Sequence, residues 1–512
     1  MVPNSMDRIS NLPQPILHHI LSFLSQKEAI QTCVLSKSWR YIGSTRPNVE
    51  FIQYYFNGIE QKFMSVVNKT LQGYHDQKLC IQEFRVKMLE LDSKSISLLE
   101  KWIPMVMLNK GLKTFDLSFF HSRTSVYFDL PSVVFEAESL LNLNLDRCKL
   151  NRNPIDKVLF KHLQTLCLRE IYITEETLEK ILSSCPLIEN FSVFGCEGLR
   201  TIKVNKLRNL NYFAFDHIYG LYKNNDISIE IDAPTIKTIR IVTCPNWLHH
   251  HIHFPHLSCL FLDTVRLSSK SFDFFSCNLP SLEKFTVVNC YGFEEFHLSS
   301  RSIKHLSLLG IWEPIKATID APNILVFTYE AYISTSICFA ITSREWKSDI
   351  TLSNSADSDY NAASWFHKLS ELLKSLSQSV ISLKLTQGSR IFRQIEDPPD
   401  IKPLVIEHLS LAGNYSSSSF KAFLNCLFRV CRPRNISQCW YLDAHNGWKR
   451  EEDKIIEFFV EILLIKRYRR GLRHYMIWLQ DLEEVSMDEN GQEWHPGEGI
   501  KFRFRLKWRE FS

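Results

Sequence analysis

No stretch of 18 consecutive apolar residues occurs anywhere in the chain; the nearest approach, residues 455–465, is short and interrupted by Glu457 and Glu461. A membrane-spanning helix is therefore not expected. The first residues lack an apolar signal core, so no secretion signal is expected either. Net charge is nearly balanced, at +4 over 512 residues, which gives neither the basic field that nucleic acid attracts nor an acidic bias toward cationic ligands. Glycine is scarce at 16 residues, and no glycine-rich phosphate loop, GxSxG, HExxH or CxxC is present. Without a signal, the fourteen cysteines read as reduced thiols of a nuclear or cytoplasmic protein, and the sequons at Asn68, Asn190, Asn414 and Asn435 carry no meaning.

What is present begins with residues 11–42. Ile16, Leu17, Ile20, Leu21 and Leu24 recur at helical spacing and form one apolar stripe. Pro13 and Pro15 fall in the first turn, where a missing N–H costs little. Ser25 and Glu28 have capping-box spacing ahead of a second stripe of Ala29, Ile30, Cys33 and Val34, and Ser36 is placed to cap a third short helix carrying Trp39 and Arg40.

The order of residues in this segment resembles the F-box: Leu12-Pro13, Ile16-Leu17, Ile20-Leu21, Ser22-Phe23-Leu24, Lys27-Glu28-Ala29, Val34-Leu35-Ser36 and Trp39-Arg40. One departure is Gln14, where the family usually has an acidic residue; the lost helix N-terminal charge is worth under about 1 kcal/mol. The resemblance implies docking on a Skp-type adaptor, and through it on a cullin-RING ubiquitin ligase. It carries Leu12, Pro13, Ile16, Leu17, Ile20, Leu21, Val34, Leu35, Ser36 and Trp39 over as adaptor contacts. About 35 residues cannot bury both faces of such helices alone, so an apolar face should await a partner.

A second pattern, apolar-x-x-apolar-x-apolar, recurs from residue 81 onward, as in Leu140/Leu143/Leu145, Leu163/Leu166/Leu168, Ile188/Phe191/Val193 and Leu210/Phe213/Phe215. At 45% apolar content one copy arises by chance in roughly one window in eleven, so the spacing decides. From Leu143 to Phe327 the middle residues are separated by 23, 25, 22, 26, 21, 25, 21 and 21. Cys148, Cys196, Cys244 and Cys290 each lie five residues past a middle position, and Asn414 fits the same slot. Period, strand motif and Cys position resemble the plant-type F-box leucine-rich-repeat family. Longer units such as 174–186 have room for a helix with Leu178, Ile181 and Leu182 facing in, whereas the unit around Asp320 leaves room only for a turn.

The expected architecture is α/β: a three-helix F-box (6–50), a linker helix region (51–80), a leucine-rich-repeat solenoid of parallel strands (81–431, irregular over 330–380) and a C-terminal α+β cap (432–512). Side chains between the inward residues should line the concave face and contact the substrate: Asp116, Asn144, Asp146, Arg169, Asp216, Arg240, Asp263 and Glu330. Acidic positions slightly outnumber basic ones there, which favours a protein or small-molecule partner over nucleic acid.

The rest of the chemistry is bland. His249, His251 and His253 share a face only in an extended segment and lack a second ligand-type partner, so they read as a surface loop rather than a metal site. The basic run 466–473 reads as a solvated helix end, and 501–508 as a strand with one buried aromatic face. The resulting expectation is a non-catalytic substrate receptor of an SCF-type ubiquitin ligase that needs no cofactor, metal, nucleic acid or membrane. The alternative is a repeat scaffold for protein–protein interaction acting outside a ligase.

Overall fold

The computed structural model describes residues 9–509 apart from 10–11, 25, 33, 57–59, 121–126, 151–156, 206, 218–226, 245–246, 248–253, 314, 334–335, 341–344, 354–361, 388–401, 414–416, 439–441, 444–446, 449–476 and 490–501. The chain divides into two compact units, Met1–Phe254 and Pro255–Ser512.

The first unit opens with α1 (Gln14–Ser22), α2 (Gln26–Thr32) and α3 (Lys37–Ser44). Proline lies in the first turn of α1, and Ser36 caps α3 by accepting from the Trp39 N–H at 3.2 Å. Ser25, the first residue of the expected capping box, lies outside the described residues. The parallel ladder then starts earlier than residue 81. Strand β1 (Asn48–Ile52) pairs with β2 (Glu83–Met88), which pairs with β3 (Thr114–Phe119). With only Val49 and Phe51 pointing inward, β1 lacks the third apolar residue by which the motif is recognised. Helix α4 (Glu60–Asp76) joins β1 to β2, and α5 (Ser93–Met107) joins β2 to β3.

Strands Asn142–Asp146, Thr165–Arg169, Asn190–Phe194, Tyr212–Asp216 and Thr238–Val242 continue the parallel ladder. The middle residues of the motif lie directly opposite one another: Phe84, Phe115, Leu143, Leu166, Phe191, Phe213 and Ile239 form one buried row. That register is what a period-2 strand must keep when one face is buried, because a one-residue slip would turn the whole row outward. Helix α6 (Glu175–Ser184) covers one rung. Thr174 caps it by accepting from the Thr177 N–H at 3.3 Å, and Leu178, Ile181 and Leu182 are buried. Other return segments carry a short outer strand, as in Thr201–Val204 paired with Ser228–Ile231.

In the second unit, strands Cys259–Asp263, Lys284–Val288, His305–Ile311, Val326–Tyr332, Trp346–Ser353, Ser379–Gln387, Leu404–Gly413 and Cys431–Gln438 form a parallel ladder. The stretch 330–380, expected to be irregular, contains a full rung. Its inward position opposite Phe327 and Ile381 is Ser348, fully buried, which hides the rung from any apolar pattern. Its hydroxyl is satisfied by Ser379 Oγ at 2.7 Å, as a buried polar group requires. The long step to the next rung is filled by α8 (Ala362–Ser375); α7 (Ser269–Asn278) and α9 (Ser417–Val430) fill two others. Outer strands Glu295–Ser299, Lys316–Asp320 and Ser336–Phe339 pair in parallel behind the shortest rungs.

The repeat also runs past 431, since Cys431–Gln438 is a parallel rung. Strand Phe502–Trp508 then adds antiparallel to it and to Leu482–Glu489, with Phe504, Leu506 and Trp508 buried and Arg505, Lys507 and Arg509 exposed. Trp508 Nε1 donates to the Pro433 carbonyl at 2.8 Å, and Arg432 pairs with Asp481 at 2.5 Å. These contacts cover an edge that would otherwise offer unpaired backbone groups. The apolar run 455–465 lies outside the described residues, as do the histidine run 249–253, the basic run 466–473 and Asn414.

Candidate functional site

The helical module has two kinds of apolar residue. Leu17, Leu21, Ala29, Trp39 and Ile42 form a closed cluster, with Leu12, Ile20 and Leu24 packed against it. Leu17 is 1% exposed and Leu21 is fully buried, so neither can touch a partner while this core stands. The same holds for Trp39. Their burial corrects the expectation that these three are adaptor contacts: they build the surface rather than form it. The second kind faces solvent. Ile16 is 47% exposed, Phe23 76%, Val34 81% and Leu35 64%, with Pro13 also exposed, Leu12 and Ile20 half-buried, and Ser36 occupied as a cap. Val34 and Leu35 stand out because they occupy the turn between α2 and α3, where the chain has left helical geometry and cannot fold them back onto the core.

Hydrogen bonds tie the helical module to α4. Tyr74 of α4 donates its hydroxyl proton to the Arg46 carbonyl at 2.5 Å, and Arg46 Nη2 donates to the Leu24 carbonyl at 3.4 Å. Burial pushes the Tyr74 hydroxyl up to about 12, against the opposing Arg46 charge. His18 Nε2 lies 3.3 Å from Thr45 Oγ1, and burial lowers its pKa.

On the ladder of the first unit, the side chains opposite the buried row are in cross-strand register. One row runs Arg85, Asp116, Asn144, Cys167, Ser192, Ala214, Arg240, and a second runs Asp146, Arg169, Phe194, Asp216, Val242. Asn144 Nδ2 donates to Asp116 Oδ1 at 2.8 Å, which links two expected contacts directly. Arg169 is exposed, with its guanidinium 5.5 Å from the Phe194 ring centroid. Asp216 accepts from Thr243 Oγ1 at 3.3 Å, and Asp216 and Arg240 are half-buried. Asp146 differs: it is 1% exposed and accepts from the Phe119 N–H at 3.0 Å, so the expectation that it contacts a substrate gives way to a structural role. Asp263 and Glu330 lie half-buried on the second unit, where Asn289 Nδ2 donates to Asp263 at 3.4 Å.

Behind four of the rungs, Cys148, Cys196, Cys244 and Cys290 are buried. Cys196 Sγ donates to the Leu168 carbonyl at 3.5 Å, Cys244 Sγ to the Ile227 carbonyl at 3.4 Å and Cys290 Sγ to the Leu262 carbonyl at 3.7 Å. Burial drives the Cys196 and Cys290 thiols up to about 12 and likewise raises the Cys148 thiol well above its ordinary value. These are structural thiols, not nucleophiles. Among the described residues no group of three or more His, Cys, Asp or Glu side chains is arranged to hold a metal ion. Nor is any described helix long and apolar enough to cross a membrane.

Comparison with known families agrees with both halves of this geometry. Residues 9–49 match the F-box domain, and residues 71–253 match the LRR domain of At1g61320/AtMIF1. The chain is an F-box protein with a leucine-rich-repeat domain. Among similar proteins, F-box/LRR-repeat protein 25 of Arabidopsis thaliana is 29% identical over 244 residues, 47% of this chain and 88% of the relative. F-box/LRR-repeat protein At3g59200 of the same plant is 29% identical over 245 residues, 45% of each chain. Against the first relatives matched, the chain spans about half of their length. The F-box match ends inside β1, and the repeat match begins inside α4 and ends at the boundary of the first unit. The F-box contributes the exposed apolar turn, and the repeat domain contributes the polar strand face.

Proposed function

We propose that this F-box protein is the substrate-recognition subunit of an SCF-type ubiquitin ligase. The observation that carries the reading is the exposure of Val34 and Leu35 beside a helical core that is already closed. Apolar side chains this open on a small helical module are what a docking protein covers, and such anchors dominate interface energies. In this reading a Skp-type adaptor packs over Ile16, Val34 and Leu35, and Pro13, Leu12 and Ile20 border the contact. The strand face of the first unit carrying Asp116, Asn144, Arg169, Asp216 and Arg240 holds a protein substrate, and Asp263 and Glu330 mark the corresponding strand face within the second unit. The chain makes and breaks no bond itself. It raises the effective concentration of substrate beside a conjugating enzyme brought by a cullin-RING assembly.

The test is reconstitution. The purified chain is mixed with a Skp-type adaptor and a cullin, and co-elution is followed by size-exclusion chromatography. A stable complex lost in the Val34→Asp/Leu35→Asp double variant supports the ligase reading. A folded chain that never binds adaptor would leave a repeat scaffold working outside a ligase.

A further inference from the structure

A groove of about 830 Å3 lies in the first unit between α3, β1 and α4. It is separate from the exposed turn at Val34 and from the strand face. Its floor is the free edge of β1, all five of whose residues line it. β1 pairs on one side only, with β2, and no described residue pairs with its other side. The Pro47 carbonyl accepts from the Gln82 and Glu83 N–H groups, which turns the odd-numbered backbone groups of this segment toward β2. Strand alternation therefore aims the N–H and C=O groups of Asn48, Glu50 and Ile52 into the groove. An open edge with a row of unpaired donors and acceptors is a template for a further strand.

The walls say what kind of strand. Tyr54 and Tyr55 are 68% and 64% exposed, and Val66 of α4 is also exposed, so the flanks are apolar and aromatic. The charged groups are Arg40, Arg46 and Lys69 against a single Glu50, which lies 4.0 Å from Lys87. Arg40 and Lys69 are exposed, and neither forms an ion pair with a described residue. Gly73 of α4 opens the groove further: a Cβ placed there meets nothing within 4 Å. A second copy of the chain is disfavoured as occupant, because edge-to-edge pairing of two β1 strands would bring like-charged rims together.

We propose that this groove binds an extended, acidic peptide segment of a partner protein, added as a strand to the free edge of β1. Backbone pairing would supply affinity, and the Arg40–Lys69 rim would supply the preference for acidic side chains.

The probe is a fluorescent, end-blocked octapeptide alternating valine and glutamate, titrated into the full chain by anisotropy. Two N-methylated forms block alternate backbone N–H groups in opposite phases, and a fourth peptide replaces glutamate by lysine. Binding by the glutamate peptide should weaken by at least about tenfold in one N-methylated phase and stay intact in the other, since a strand pairs through alternate residues. It should weaken comparably in Gly73→Trp, which fills the groove, and in Lys69→Glu, while Gly73→Ala binds normally and controls for folding. No binding up to about 1 mM, equal binding of both N-methylated phases, equal binding of the lysine peptide, or indifference to both Gly73→Trp and Lys69→Glu would each overturn the proposal. Sedimentation showing a dimer that Gly73→Trp dissociates would assign the edge to a second copy and overturn it too.

Discussion

Cys196 donates its thiol proton to the Leu168 carbonyl, 3.5 Å away and one rung earlier in the parallel ladder. The same device recurs between Cys290 and the Leu262 carbonyl. Each thiol adds a weak second donor to a carbonyl of the preceding rung, close to where the chain turns away from the sheet. A thiol held near 12 by burial is roughly one part in ten thousand ionised at pH 8, and the thiolate is the reactive form. Native-state labelling with N-ethylmaleimide at pH 8, followed by peptide mass spectrometry, should modify exposed Cys80, Cys277 and Cys338 and spare Cys148, Cys196 and Cys290 until urea is added. Fast native labelling of Cys196 would show that the rung is open.

Much of this ladder was legible in the sequence, because apolar residues at constant spacing and a cysteine at constant offset are both visible as letters. The opposed row from Phe84 to Ile239 follows from that spacing alone. Three things were not. The rung through Ser348 carries a polar residue at an inward position, which only its partner Ser379 explains. The first rung, β1, has Arg46 where the motif wants its leading apolar residue. In the F-box, Leu17 and Val34 belong to the same apolar class, and composition cannot say which closes the core and which is left outside. The answer lies in local geometry: Leu17 sits on the inward stripe of α1, and Val34 sits on a turn.

That difference gives opposite outcomes for two kinds of substitution. Leu17→Ala removes a side chain from a closed core and should cost about 2–5 kcal/mol of module stability. Val34→Ala with Leu35→Ala removes exposed surface, should change stability by no more than about 0.5 kcal/mol, and should still weaken adaptor binding at least about tenfold. Urea unfolding and adaptor titration on the same preparations separate the two. Unaltered adaptor affinity in the Val34/Leu35 variant would remove that turn from the interface.

The strands end on left-handed residues: Arg147, Glu170, Thr243, Thr264 and Asn289 all have positive φ, as do Gly195 and Gly310. At Gly310, φ is +63° and a Cβ would collide with Asn289 Oδ1. Gly310→Ala should therefore lose on the order of 1–3 kcal/mol, part from conformation and part from the clash. Made in an Asn289→Ala background, it should lose distinctly less, since only the conformational part remains. Thermal unfolding of the four chains of this cycle measures the coupling, and strict additivity would refute the clash.

The buried Asp146 supplies a pH dependence of known sign. Arg147, 2% exposed and itself in the left-handed region, donates from Nε to Glu170 Oε2 at 3.0 Å, while Asp146 Oδ1 stands 3.9 Å from that Nε. Burial raises the Asp146 pKa to about 6; the Phe119 N–H pulls it back, Glu170 pushes it up and Arg147 lowers it. Because the folded value lies above the ordinary 3.8, the folded state holds the proton more tightly than the unfolded chain. The group's contribution to stability is therefore fully present below about pH 4 and is lost as pH rises through about 6, by at most on the order of 3 kcal/mol. Asp146→Asn keeps the shape and abolishes the titration. The stability of Asp146→Asn minus that of the parent, from urea unfolding at intervals between pH 4 and pH 7, should climb across this window and then level off. A flat difference would mean that Asp146 is ionised throughout, held by Arg147 more strongly than burial opposes it.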